Sequence, residues 1–365
     1  MSSSLQQTVQ QAIDDLVGSG AETGVQVAVY RYGELVVDAV AGVADLATGR
    51  PMRPDTPIYS GSTGKGVTAT LANVLVARGV LAYDEPIAAL WPEFAAHGKE
   101  RATLRHVLTH SVGVPAVPAS TTLAELTDWD AMTAAIAASV PWWEPGAKTA
   151  YHAQTFGFLV GELVRRATGR PLAEVLREEL TGPLGVEDEV YFGVPAEALG
   201  RVARLDEPAG EVPAPDKRLA PVAVQPRAAS MNRYDVLSAD IPSAATASAR
   251  GIAKVYAAVL GPVEGSSAAE RVQLIPDELR AEIVRPAFSG VDEVFGNPAV
   301  WALGYAYGRL GASAEQVPTT FGMPGTGGSA AWANHRTGVT FALTKNRFDL
   351  LRADAATRLG ELVAG

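Results

Sequence analysis

Apolar and polar residues alternate through two early runs of the chain, TGVQVAVYRYGELVVDAVAGVAD, and the alternation breaks at Tyr32-Gly33-Glu34. This pattern predicts two strands joined as a hairpin. Ahead of it, MSSSLQQTVQQAIDDLVGSG sets Val9, Ile13 and Leu16 on one face of an amphipathic helix. After the hairpin, DTPIYSGS runs into STGKGVTATLANVLVARGVL, whose apolar spacing predicts a long helix beginning near Ser62. LAYDEPIAALWPEF reads as a turn and a short helix, and THSVGVPAVPASTT as loop. Helical spacing returns in DWDAMTAAIAASV, TFGFLVGELVRRATG and LAEVLREEL, the last stopping near Thr181-Gly182-Pro183-Leu184-Gly185. From Gly193 to about Ser238 the chain is proline-rich and weakly periodic, an irregular arm. IPSAATASARGIAKVYAAVLG turns and becomes a helix; AWANHRTGVTFALTKNRF gives two strands across His335-Arg336-Thr337-Gly338; LRADAATRLGELVAG closes as a helix.

These elements assemble most economically as an α/β (α+β) protein with an antiparallel sheet flanked by helices. Residues 1–85 and 285–365 are expected to form the sheet lobe, and 86–284 a mostly helical lobe carrying the arm, with Ser62 in the cleft between them. At 365 residues and 47% hydrophobic content the core is large enough to need no staples. No cysteine is present, which removes disulfides and thiolate chemistry and agrees with a reducing compartment. The net charge of −10 repels phosphate backbones, so nucleic acid is not an expected partner. The first residues lack the basic and apolar regions of an export signal and no stretch resembles a membrane span, so a cytoplasmic location is expected.

Chemistry concentrates around Ser62 and Lys65. Residues three apart on a helix share a face, so the hydroxyl and the amine can meet. An amine can serve as the base for a serine nucleophile when burial depresses its pKa. The spacing stands out because no other lysine here has a serine three residues before it. Tyr151, after the turn at Pro145-Gly146 in WWEPGAKTAY, is a second candidate, a phenol that Lys65 would acidify and that could shuttle a proton to a leaving group. The run Gly322-Met323-Pro324-Gly325-Thr326-Gly327-Gly328 is a third, since a strand free of large side chains can bring backbone N–H groups to a developing oxyanion. Cofactor motifs are not met: Tyr59 stands where a phosphate loop needs its first glycine, and His106 and His110 lack the glutamate and third ligand of a zinc site. No cofactor and no metal are expected.

Taken together, these residues resemble the serine β-lactamase and penicillin-binding superfamily, in the branch of class C β-lactamases and related esterases and acyltransferases. Ser62-Thr63-Gly64-Lys65 resembles the first active-site motif. Tyr151-His152-Ala153 stands where the family carries Tyr-x-Asn, and Met323-Pro324-Gly325 where it carries Lys-Thr-Gly or a histidine form. LRHVLTHSVGV and IPSAATASARGIAKVY fit flanking segments in the family's order. The resemblance implies a β-lactamase/transpeptidase-like fold, with Ser62 as acylated nucleophile, Lys65 and Tyr151 as base and proton relay, and the N–H groups of Ser62 and Thr326 as oxyanion hole. Two polar groups of that family are missing. Ala153 replaces the asparagine, and Met323 the cation that would face a substrate carboxylate, which argues against penicillin chemistry and for a less charged acyl group. His152, Ala153, Met323 and Gly325 are expected to contact substrate, with Trp142, Trp143, Phe156 and Trp332 as possible walls; strand parity decides for Trp332. The expected activity is ester hydrolysis through an acyl-enzyme on a small-molecule substrate. The alternatives are a transacylase delivering to an amine or alcohol without ATP, and a non-catalytic binding protein of the penicillin-recognising fold.

Overall fold

The computed structural model describes residues 2–209, 218–267, 270–308, 317–350 and 354–364. Its centre is a nine-stranded sheet, antiparallel at every paired step. Along the sheet the strands run Arg50–Pro51, Glu34–Asp45, Gly24–Arg31, Val339–Lys345, Ala330–Asn334, Thr320–Pro324, Ala306–Tyr307, Pro298–Trp301 and Phe288–Val291. The early hairpin and the late strand pair stand where the alternation put them. The early strand Gly24–Arg31 shows why: Val25, Val27 and Val29 enter one core, while Ala28 and Tyr30 enter the other. The first core lies under the helices Ser2–Gly18 and Asp354–Ala364, the second under the buried helices of the other face. Each valine so buried contributes about 1.5–3 kcal/mol.

The Gly64–Ala77 helix is buried from Gly64 through Leu75. A helix apolar on all sides belongs in a core, and this one packs against the helices Thr155–Thr168 and Ala249–Leu260. The latter, inside the 86–284 stretch, also lies directly on the Gly24–Arg31 and Val339–Lys345 strands. Buried Gln26 ties these parts together. Its amide donates to Thr56 O at 3.0 Å, and its oxygen accepts from Ala249 N at 3.0 Å and Thr344 Oγ1 at 2.8 Å. The segment leading to Ser62 is thereby pinned to the sheet. Two-residue strands at Ile58–Tyr59 and Thr246–Ala247 pair just before it.

Three outer strands, 288–291, 298–301 and 306–307, were not foreseen from the sequence. They are two to four residues long, interrupted by Pro298 and Gly304, and partly exposed, so they carry no clear period-two signal. The expectation of a plain helix through LAEVLREEL also changes: after Leu172–Leu176 the chain widens into a π-turn over Arg177–Thr181. Part of the proline-rich arm, residues 210–217, lies outside the described residues.

Candidate active site

Ser62 sits in the 3-10 turn Gly61–Thr63, one step ahead of the Gly64–Ala77 helix. The turn needs glycine before the serine. Gly61 has φ +57°, and a Cβ there would lie 2.8 Å from Thr326 N. A Cβ on Gly325 would lie 2.1 Å from Ser60 O. These two glycines let the Thr320–Pro324 strand and its continuation close against the serine turn. The arrangement sets the backbone of Thr326 beside Ser62, and both residues line one cavity.

Lys65 is fully buried, and its Nζ donates to Ser62 Oγ at 3.2 Å, Ala153 O at 2.7 Å and Ser243 O at 2.9 Å. None of the three partners is a carboxylate. Burial therefore acts unopposed on the ammonium and pushes its pKa down from 10.5 to about 7. Ser243 was not singled out from the sequence, although its segment was. Its hydroxyl further fixes the site by accepting from Gly157 N at 3.0 Å and donating to Gln154 O. Ala153 acts through its backbone carbonyl, with its side chain packed beside Trp143 and Ala150.

Tyr151 lines the same cavity as Ser62, with its phenol near the serine hydroxyl, and its ring centroid lies 5.0 Å from Lys65 Nζ. The expectation that Lys65 acidifies this phenol is corrected: burial raises the phenol's pKa, and the nearby Ser62 hydroxyl only partly offsets it. The group lowered into the neutral range is the amine. The phenol's ring stacks on Trp301, 6.4 Å between centroids and 9° between planes.

Around Ser62 and Tyr151 lies a cavity of about 490 Å³, walled by Phe295, Val300, Trp301, Tyr307 and Met323. Met323, Gly325 and Thr326 thus border it as expected. Three other expectations are corrected. Trp332 pairs with Gly322 and faces away from the site, stacked on Phe341 among Val339 and Leu343, whereas its neighbours Ala331 and Ala333 enter the core under the buried helices of the other face. Trp142 is half exposed and meets Trp143 edge-on, outside the cavity wall. His152 turns inward, with Nδ1 2.6 Å from Ala150 O and its ring beside His110 and Trp143, and burial lowers its pKa to about 3. Phe156 and Trp143 are likewise core residues. Trp332→Ala is therefore expected to cost about 3–5 kcal/mol of stability in denaturant titration while leaving KM for small esters unchanged.

Of the walls that do line the cavity, Trp301 and Tyr307 come from the outer strands that lacked a sequence signal, and Phe295 from the turn between two of them. Asp292 is the only lining residue among those described with a carboxylate or a basic group. A second cavity of about 460 Å³ lies between Trp129 and Arg170, with Arg165 and Arg166 paired to Glu162, Arg170 paired to Glu178 and no nucleophile in its wall.

A family model described as Beta-lactamase matches residues 9–364. The chain is 34% identical over 345 residues to the esterase/β-lactamase LipL of Mycobacterium tuberculosis strain H37Rv, covering 89% of this chain and 77% of that one. It is similar to a crystal structure of a family VIII carboxylesterase, with TM-score 0.89, 32% identity and coverage of 99% and 97%. A penicillin-binding protein homologue from Caulobacter crescentus gives TM-score 0.83 at 32% identity and the same coverage. With the match spanning both faces of the sheet and the serine turn itself, the chain belongs to the β-lactamase family.

Proposed function

We propose that this serine hydrolase, an esterase of the β-lactamase family, cleaves esters of uncharged acyl groups through an acyl-enzyme on Ser62. Lys65 takes the Ser62 proton as Oγ attacks the ester carbonyl, and the N–H groups of Ser62 and Thr326 receive the oxyanion. As the C–O bond breaks, the proton passes through Tyr151 to the leaving oxygen and the alcohol departs. Water then attacks the acyl carbon, giving a proton to the same pair, and the acid leaves as Ser62 recovers its proton.

The observation that carries this reading is the set of partners around Lys65. A neutral amine has two N–H bonds and one lone pair. Two carbonyls, Ala153 O and Ser243 O, take the N–H bonds, which leaves the lone pair for the Ser62 hydroxyl. A non-catalytic binder has no use for that arrangement. The absence of a cation among the described lining residues supports a substrate without a carboxylate. Phe295, Asn297 and Pro298 at the rim are exposed, which supports access of water to the acyl-enzyme and hydrolysis over transfer.

Acid-quenched mixing with p-nitrophenyl butyrate tests this. One butyryl group should appear on the protein, at a rate that rises about tenfold per pH unit below 7 and levels above it, because only neutral Lys65 is a base. A rate flat across the neutral range would remove Lys65 from that role. Faster release on adding primary alcohols or amines, with a new conjugate, would make the enzyme a transacylase. No adduct from a panel of esters and thioesters would favour the binding protein.

A further inference from the structure

Three consecutive backbone N–H groups at Tyr151 each have their own acceptor. Ala150 N donates to His110 O at 3.1 Å, Tyr151 N to Asp292 Oδ2 at 2.8 Å, and His152 N to His110 Nδ1 at 2.9 Å. In extended backbone successive N–H groups point to opposite sides, so His110 holds one side of the tyrosine segment and Asp292 the other. His110 is fully buried, takes φ +54°, and lays its ring against Tyr151, Phe156 and Trp301. Asp292 is also buried, and its second oxygen accepts from Val294 N and Phe295 N, each at 2.8 Å. One carboxylate therefore joins the phenol's backbone to the turn that carries Phe295, a wall of the cavity.

We propose that Asp292 is a positioning residue for Tyr151, holding the phenol where it can pass a proton to the leaving oxygen. The inference rests on the role given to Tyr151 above. Three donors converge on two oxygens, which suits a group that only accepts. An amide in its place would keep one acceptor for the Val294–Phe295 turn and set an NH₂ against the Tyr151 N–H. Asp292→Asn thus spares the turn and removes the hold on the tyrosine.

A phenol that protonates the leaving group matters for an alkoxide and hardly at all for p-nitrophenolate. We expect D292N to lower kcat/KM for ethyl butyrate by about tenfold or more, and for p-nitrophenyl butyrate by less than about threefold. Y151F should show the same preference more steeply, and D292N/Y151F should be no worse than Y151F alone. Losses by D292N that are equal for both esters, or that add to those of Y151F, overturn the inference. If Y151F shows no preference, the reading of Tyr151 as proton relay fails first. If Y151F shows it and D292N does not, this inference alone fails. Should D292N not fold, Asp292→Ser keeps a short acceptor for the turn without reaching Tyr151, and is judged by the same ratio.

Discussion

Ser62→Ala is expected to lower kcat/KM for p-nitrophenyl butyrate by about 10⁴- to 10⁶-fold and to abolish the butyryl adduct. The size follows from what is lost. Alanine removes the only atom that forms the covalent bond, and the backbone donors, which remain, recover little without it. The turn at Gly61–Thr63 is held by its glycine and by Thr63 Oγ1 donating to Ser60 O at 2.9 Å, so the fold should stay within about 0.5 kcal/mol of wild type. Binding of a non-hydrolysable ketone analogue measured by calorimetry should persist. An adduct that survives in S62A would place the nucleophile elsewhere.

Lys65→Met is expected to move activity and stability in opposite directions. Activity falls by about 10²- to 10⁴-fold, since no other described base hydrogen-bonds to Ser62 Oγ. Stability should rise at low pH. In the folded protein the amine titrates at about 7, against 10.5 ordinarily, so between these values the unfolded chain binds the extra proton. Wild-type stability therefore climbs as pH rises through that window and is lowest below 7, by on the order of 5 kcal/mol. Methionine removes this dependence, and the carbonyls it leaves without a donor offset part of the gain. Urea titrations should find K65M more stable at pH 6, with the gap closing towards pH 10. A gap that stays constant from pH 6 to pH 10 would mean that the folded protein keeps its ammonium charged.

Much of this site could be read before any coordinates. Ser62 and Lys65 meet because helical spacing is a local rule, and the hairpins stand where they were expected because alternation needs only neighbouring residues. What stayed hidden depends on distant neighbours. Trp332 looked like a wall, and only the pairing with Gly322 shows which face of the sheet it occupies. His152 stands next to Tyr151 in sequence, yet alternation along extended backbone sends its ring into the core. Asp292 and Ser243 lie 141 and 178 residues from the groups they hold, with no motif to announce them. The phenol's pKa was misjudged for a related reason: which of two partners yields to burial depends on how many carbonyls surround the amine, a property of the folded site.

The middle of the sheet joins Gln26 to Thr344, 318 residues apart. A ribosome releases the early hairpin and Ser62 long before the strand that must lie between Gly24–Arg31 and Ala330–Asn334 exists. During that interval one edge of an apolar hairpin stands open, a liability that favours chaperone capture and slow, late closure. Thr326, which closes against the serine turn, and Ser243, which takes a hydrogen bond from Lys65, are also made after Ser62, so the serine gains its surroundings only as the chain nears its end.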